Sequence, residues 1–103
     1  MIDLETDTLQ DFIKEHDQVI VQYGAGWCGN CRIIKPKFRK LSEENQSIQF
    51  VYADAEKLPG TRELAEIKNL PTFAAFKGGK LIKQTEGNKV EKIQELIDEI
   101  ANH

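Results

Sequence analysis

The sequence has few of the features that mark membrane proteins or nucleic-acid-binding proteins. Its apolar runs are far shorter than the roughly 20 residues of a membrane-spanning helix, and its N-terminus lacks a basic segment followed by an apolar one. With 14 Lys and Arg against 17 Asp and Glu, the net charge is -3, so electrostatics does not favour nucleic acid or an anionic membrane. We therefore expect a cytoplasmic monomer that binds neither.

Cysteine and histidine are also scarce, with two of each in 103 residues. A structural metal site takes about four ligands, usually two close cysteine pairs or one pair with two histidines, and His16 and His103 lack that spacing. A structural disulfide between Cys28 and Cys31 would close a very short loop and stabilise the fold by at most about 2 kcal/mol. A single domain of residues 1–103 buries roughly two thirds of its unfolded surface, so it needs no crosslink. Of three interpretations of the Cys28–Cys31 pair, a metal site and a structural crosslink are therefore weaker than a redox pair.

The third interpretation is a redox pair, within the segment YGAGWCGNCR at residues 23–32. The pair follows a predicted strand and begins a predicted helix, so unpaired backbone N–H groups point towards Cys28. These groups and the helix dipole stabilise a thiolate there. Cys28 can then attack a substrate disulfide, and Cys31, one turn further along, can attack the mixed disulfide and release the product.

Hydrophobic patterns predict an α/β fold in which helices cover both faces of a central sheet. Helical periodicity covers residues 8–16, 31–45, 62–69 and 90–100. Apolar and β-branched runs predict strands at residues 18–23 and 48–54, and a hairpin at residues 72–87 that turns at Gly78 and Gly79.

The motifs resemble those of the thioredoxin family, in order and spacing, over almost the whole chain. WCGNC at residues 27–31 matches the family's Trp-Cys-Gly-Pro-Cys in four of five positions, and Pro36 falls where the family's second helix is kinked. LPTF at residues 70–73 is similar to the family's cis-proline loop, and PGT at 59–61 and FKGGK at 76–80 also match. The resemblance implies the thioredoxin fold, in which a central mixed five-stranded β-sheet is flanked by four α-helices.

The resemblance also implies a function. It predicts a protein-disulfide reductase that binds no cofactor and works through a redox-active Cys28–Cys31 disulfide. Its partners would be disulfide-containing protein substrates and an NADPH-dependent thioredoxin reductase. Two other interpretations stay open. One is a less reducing, isomerase-like exchanger, and the other is a thioredoxin-fold binding or chaperone-like module whose cysteines are not essential.

Site roles carried over from the family fall on the active-site segment and on two later loops. Cys28 becomes the nucleophile and Cys31 the resolving thiol. The residues of the active-site loop and of substrate docking are then Trp27, Gly29, Asn30, Leu70, Pro71 and Gly87. Leu70 and Pro71, joined by a cis peptide bond, would form the ledge for the substrate backbone. Trp27 would shield the sulfurs, and the alternative is that it is a plain core aromatic.

Two departures from the family pattern remove a buried pair of charges. Gln22 replaces an aspartate that assists deprotonation of the resolving cysteine, and Tyr52 replaces its lysine partner. Losing both together avoids an unpaired buried charge, and a Gln22–Tyr52 hydrogen bond would fill the space. Because neither side chain is a general base at neutral pH, we expect slower or differently routed proton transfer from Cys31.

Two further departures concern packing and the docking rim. Gly24 replaces a tryptophan, so we expect looser packing beneath the active-site loop unless a neighbour such as Tyr23 or Phe73 fills the space. Glu86 replaces an apolar residue beside Gly87, and should make the docking rim more polar and change which partners fit.

Asn30 stands between the cysteines, where the family has proline. Proline suits the first turn of a helix because it has no N–H to leave unpaired, whereas asparagine restores that N–H and adds an amide that could bond a sulfur. A further donor near Cys28 would favour the thiolate, and hence the reduced form. We therefore expect a less reducing potential than that of a WCGPC protein, and each 30 mV of difference corresponds to about 1.4 kcal/mol.

Overall fold

The computed structural model describes all 103 residues of the chain. The α-helices are Leu9–Glu15 (α1), Gly29–Glu44 (α2) and Val90–Ala101 (α3), and a 3₁₀ helix lies at Pro59–Leu64. The strands are Ile2–Asp3 (β1), Gln18–Gly24 (β2), Gln49–Asp54 (β3), Thr72–Lys77 (β4) and Lys80–Glu86 (β5). None of the helices has the length and apolar character needed to span a bilayer.

The five strands form one mixed sheet in the order β1-β3-β2-β4-β5. Strands β1, β3 and β2 are parallel neighbours, whereas β4 runs antiparallel to both β2 and β5. The predicted five-stranded mixed sheet is therefore confirmed, and its fourth flanking helix is the 3₁₀ segment. Strand β1 has no signal in the sequence pattern, because only Ile2 and Asp3 pair with β3.

Strand β2 lies at the centre of the sheet and contributes to both layers of the core. Val19, Val21 and Tyr23 pack in the cluster that includes residues of α1. Ile20 packs on the opposite face, in a cluster with residues of α2 and α3. A strand buried on both faces carries a continuous apolar run rather than an alternating one. Its C-terminal end leads directly into the loop that carries the cysteines.

Helix α2 begins at the cysteines and packs one face on the sheet. The predicted stripe of Ile34, Phe38 and Leu41 is buried, and the helix continues through Pro36. Burying these large side chains stabilises the position of the helix by roughly 1.5–3 kcal/mol each. The first turn of α2, and the cysteines with it, is therefore held by the core.

The predicted helix at residues 62–69 is wrong in its extent. The 3₁₀ helix is followed by Ala65 in an extended conformation, with φ -151° and ψ 171°. The Thr61 carbonyl, which an α-helix would offer to the N–H four residues later, instead accepts a hydrogen bond from the buried Tyr23 hydroxyl at 2.9 Å. A tertiary hydrogen bond thus replaces the helical one, and the chain continues as an irregular segment towards Leu70.

The space beside Gly24 is filled by the ring of Tyr52 on β3. A Cβ at Gly24 would lie 2.5 Å from the Tyr52 hydroxyl oxygen, closer than van der Waals contact allows. Lys35 Nζ lies 3.9 Å from the centre of this ring and 2.7 Å from the Asp3 carboxylate, so the ring is held against α2. Burial, with the nearby Asp54 and Asp3 carboxylates, raises the pKa of Tyr52, so the phenol stays neutral.

The neighbour that fills this space is Tyr52, and not Tyr23 or Phe73. Tyr23 lies on the opposite face of β2, and Phe73 belongs to the cluster beneath α2 and α3. Tyr52 takes the place because alternate residues of β3 face α2, and Phe50 two positions earlier packs on that same face.

We expect Gly24→Ala to lower the free energy of unfolding by about 1–3 kcal/mol, because the added methyl group meets the Tyr52 ring. Urea denaturation followed by circular dichroism measures this loss. The control is the same substitution in a Tyr52→Ala background. There the space is open, and alanine should be favoured over glycine in a strand by about 0.5–1 kcal/mol. An equal loss in both backgrounds would show that the Tyr52 ring is not the obstacle.

Candidate active site

The two cysteines form a disulfide at the junction between β2 and α2. Residues 25–27 connect the end of β2 to Cys28, which is the N-cap of α2 with an extended backbone, φ -84° and ψ 105°. Cys31 lies in the first turn, its Cα 5.3 Å from that of Cys28. Both residues are buried, and the Cys31 backbone N–H donates to Cys28 Sγ at 3.2 Å. The sulfur of Cys28 therefore takes the place of a helix-capping acceptor.

The helix terminus favours negative charge on Cys28 once the disulfide is reduced. The N–H groups of the first turn have no partners within the helix, and the helix dipole adds to their effect on an anion. No acidic residue lies in the first turn of α2 to oppose this stabilisation. The geometry therefore supports a thiolate at Cys28 rather than at Cys31. No group of three or more His, Cys, Asp and Glu side chains is arranged to hold a metal ion.

Trp27 lies at the surface beside the disulfide, and its interpretation as a core aromatic is wrong. The residue is 67% exposed, and its indole Nε1 donates to Glu56 Oε2 at 2.8 Å. This hydrogen bond limits the rotation of a large apolar ring that faces solvent. Exposed aromatic rings held in this way are suited to contact with a partner.

A cleft of about 290 Å³ opens beside Trp27. Its lining residues are Trp27, Arg62, Ile67, Lys68, Asn69 and Leu70. The peptide bond between Leu70 and Pro71 is cis, as the family resemblance implies. The structure therefore brings the predicted docking residues Trp27 and Leu70 to one concave surface.

The loop around Gly87 is joined to this surface by hydrogen bonds. The Gly87 N–H donates to the Pro71 carbonyl at 3.0 Å, and its φ of 104° lies in the region that favours glycine. The neighbouring Glu86 accepts from Asn69 Nδ2 at 3.2 and 3.3 Å through its two carboxylate oxygens. Glu86 thus gives the rim a charged group and holds one of the residues that line the cleft.

Asn30 bonds a distant loop and not a sulfur. Its Oδ1 accepts a hydrogen bond from Asn88 Nδ2 at 3.1 Å, so the expected amide–sulfur bond is absent. The contact joins the first turn of α2 to the loop that contains Gly87. At Gly29, the first residue of α2, a Cβ would meet no atom within 4 Å apart from its chain neighbours and the nearby backbone of its own helix, so the helix is open to approach on that side.

Gln22 lies beneath the disulfide, and the expected Gln22–Tyr52 hydrogen bond is also absent. The two residues are neighbours across β2 and β3, but the Gln22 Nε2 donates to the Cys31 carbonyl at 3.1 Å. Gln22 Oε1 has no partner, and the Tyr52 hydroxyl lies against Gly24. The amide turns towards α2 because the helix offers a carbonyl acceptor, whereas Tyr52 is held over Gly24 by packing.

Glu56, Asn69 and Asn88 contribute to the site, and the sequence patterns do not identify them. The contacts of Glu56 with Trp27 and of Asn88 with Asn30 span 29 and 58 residues, and no local pattern encodes them. The position of Asn88 directly after Gly87 is the one signal that could have placed it at the docking rim.

The sequence matches the family model for thioredoxin over residues 1–99. Human thioredoxin is 35% identical over 83 residues, which cover 81% of this chain and 79% of that protein. Thioredoxin-2 of Pyricularia oryzae is 35% identical over 94 residues, which cover 91% of this chain and 54% of the fungal protein. This chain therefore spans about half the length of that relative.

Solved structures agree with the sequence relatives. A reduced thioredoxin pre-protein of Schistosoma mansoni has a TM-score of 0.88 and 33% identity, with 96% of each chain covered. A solved complex of ferredoxin:thioredoxin reductase with thioredoxin f2 contains a match with a TM-score of 0.87 and 29% identity, covering 99% of this chain and 96% of that one. The chain thus belongs to the thioredoxin family, and its Cys28–Cys31 pair makes it a thiol–disulfide oxidoreductase.

Proposed function

We propose that this protein reduces disulfides in other proteins, with Cys28 as the nucleophile and Cys31 as the resolving thiol. The observation that carries the proposal is the position of the Cys28 sulfur at the N-cap of α2, where the Cys31 N–H already donates to it. A sulfur in this position is stabilised as the attacking thiolate. Cys31 lies in the first turn and is less exposed than Cys28, so it reaches the mixed disulfide from the protein side.

The reduced pair transfers two electrons in two exchange steps. The Cys28 thiolate attacks one sulfur of the substrate disulfide, so a mixed disulfide forms and one substrate thiolate leaves. The Cys31 thiol then loses its proton and attacks Cys28 Sγ. The mixed disulfide breaks, the second substrate thiolate leaves, and the Cys28–Cys31 disulfide forms. Each departing thiolate takes up a proton, and the substrate gains the two electrons that the cysteine pair loses.

The surface formed by Trp27 and the Leu70–Pro71 loop supports a peptide substrate. The cleft there combines apolar side chains with polar ones, as binding sites commonly do. The Pro71 carbonyl accepts a hydrogen bond from the Gly87 N–H. The main-chain N–H and carbonyl of Leu70, in contrast, make no hydrogen bond within the chain. Main-chain groups of Leu70 are therefore available to an extended substrate segment beside the disulfide.

The catalytic cycle requires a partner that returns two electrons to the disulfide. We propose an NADPH-dependent thioredoxin reductase, because the family resemblance implies that partner. In the solved complex with thioredoxin f2, the partner is ferredoxin:thioredoxin reductase. Both classes of reductase therefore belong in the assay, with dithiothreitol as the reference reductant.

Replacing the cysteines one at a time separates the two roles. We expect Cys28→Ser to reduce protein disulfides no faster than dithiothreitol alone, because the attacking thiolate is lost. Cys31→Ser should also fail to turn over, but should accumulate mixed disulfides through Cys28, since nothing resolves them. Non-reducing electrophoresis and mass spectrometry of the trapped species measure this outcome.

The cysteine variants also test the alternative of a binding module. Full function in cells that carry only the double variant Cys28→Ser, Cys31→Ser would favour a binding or chaperone-like role. The assignment of the nucleophile would be contradicted if mixed disulfides formed on Cys31 of the Cys28→Ser variant as fast as they form on Cys28 of the Cys31→Ser variant.

The less reducing exchanger is supported by Asn30, and Asn30→Pro tests it. We expect the potential of Asn30→Pro to be more negative by about 30 mV, equivalent to a tenfold change in the equilibrium constant, because proline removes one of the unpaired N–H groups in the first turn of α2. Asn88→Ala is the matched control, since it removes only the side-chain partner of Asn30. Equilibration with glutathione measures all three proteins. A potential of Asn30→Pro that equals or exceeds that of the parent, or a shift of equal size in Asn88→Ala, would contradict the role of this N–H.

A further inference from the structure

The side chain of Gln22 is buried beneath the disulfide with one hydrogen-bonding atom unused. Gln22 is 0% exposed, and its Oε1 is the only buried side-chain nitrogen or oxygen atom without a hydrogen-bond partner. Buried acceptors are almost always paired, because on folding they lose their hydrogen bonds with water. An unpaired one beside a reactive disulfide therefore requires an explanation.

Cys31 fixes the orientation of this amide. The Gln22 Nε2 donates to the Cys31 carbonyl at 3.1 Å, and exchanging the nitrogen and oxygen would place two acceptors against each other. Because Oε1 and Nε2 are bonded to the same carbon, Oε1 also lies within a few ångströms of Cys31. Cys31 is itself 1% exposed, so the two groups share a buried environment.

No other neighbour of Gln22 supplies a donor to Oε1. Its partners across the sheet are Tyr52 on β3 and Phe73 on β4. Phe73 has no polar side-chain atom, and the Tyr52 hydroxyl lies against Gly24. The Cys31 sulfur carries no hydrogen in the disulfide, but it gains one on reduction. Cys31 is therefore the nearby residue whose capacity to donate changes with the redox state.

We propose that Gln22 Oε1 accepts a hydrogen bond from the Cys31 thiol when the disulfide is reduced. The inference rests on the proposed thiol–disulfide exchange. A dithiol reductant breaks the Cys28–Cys31 bond by transferring two electrons to it, and the two sulfurs of the reductant form their own disulfide. The two thiol protons of the reductant pass to the Cys28 and Cys31 sulfurs, or one passes to solvent where Cys28 stays a thiolate. The proton on Cys31 is the one directed at Gln22.

The hydrogen bond makes the potential of the pair less negative, because it exists only in the reduced form. The bond from Gln22 Nε2 to the Cys31 carbonyl involves neither sulfur, so we expect it in both forms and its contribution to the potential cancels. Gln22 is thus a positioning residue, which holds the Cys31 thiol in one orientation until the mixed disulfide forms.

Gln22→Met tests the inference, since methionine is similar in volume and is only a weak acceptor. We expect the equilibrium constant for reduction by glutathione to fall about three- to tenfold, which is a potential about 15–30 mV more negative. The matched control is Tyr23→Phe, on the same strand as Gln22. It removes the buried hydrogen bond from the Tyr23 hydroxyl to the Thr61 carbonyl. That bond does not depend on the redox state, so the control should lower the stability and leave the potential unchanged. An unchanged or less negative potential in Gln22→Met, or an equal shift in Tyr23→Phe, would overturn the inference.

The infrared S–H stretching band provides a direct measurement in Cys28→Ser, where Cys31 is the only thiol. We expect the band to lie below the frequency of an unbonded thiol in an apolar solvent, and to move up when Gln22→Met is added. A band at the unbonded frequency in Cys28→Ser alone would overturn the inference, even if Gln22→Met does not fold. The proposed function fails by a different result, namely a parent protein that does not reduce protein disulfides.

Discussion

The hydrogen bond from the Cys31 N–H to the Cys28 sulfur is the interaction on which the rest of the site depends. It makes one atom both the cap of α2 and one half of the disulfide. Strand β2 is buried on both faces, and α2 is held to the sheet by fully buried side chains such as Ile34 and Phe38. The reactive sulfur is therefore placed by two rigid elements, and chemical sites held in this way keep their geometry better than sites on loops.

The proposed docking surface around Trp27 and the Leu70–Pro71 loop is held in a different way. Several of its side chains are joined to distant segments only by exposed side-chain hydrogen bonds: Trp27 to Glu56, Asn30 to Asn88, and Glu86 to Asn69. A hydrogen bond of this kind contributes only about 0.5–1.5 kcal/mol. We therefore expect these side chains to adjust to a substrate more readily than the buried Cys28 sulfur. This division suits the proposed exchange of disulfides with protein substrates.

Strong local patterns made the central strands, the hairpin and the helix at the cysteines predictable. The β-branched run at residues 18–23 and the glycine pair in the hairpin, with φ of 60° and 80°, each encode their own structure. The family resemblance supplied the cis bond before Pro71 and the facing pair of Gln22 and Tyr52. The resemblance could not supply the hydrogen bonds of these two side chains. The Gln22 amide turns to the nearest carbonyl acceptor and the Tyr52 ring to the nearest free space, and both depend on the folded structure. The same reason explains why residues 62–69 do not form the predicted helix: the competing hydrogen bond comes from Tyr23, about 40 residues earlier.

Gly24 and Tyr52 share one space, since the Tyr52 ring lies where a side chain at position 24 would be. Substitutions at the two positions are therefore coupled. The family usually has a tryptophan at this position of β2 and a lysine on β3. This chain has Gly24 on β2, and the aromatic ring comes from Tyr52 on β3. Gly24→Trp alone would force two rings into one space, and Tyr52→Lys alone would empty that space and set a second ammonium group beside Lys35. We therefore expect each substitution alone to lower the stability of the fold. The two arrangements therefore differ by coupled substitutions, and a consensus design at this site must change Gly24, Tyr52 and Gln22 together, so that a lysine on β3 has a carboxylate partner.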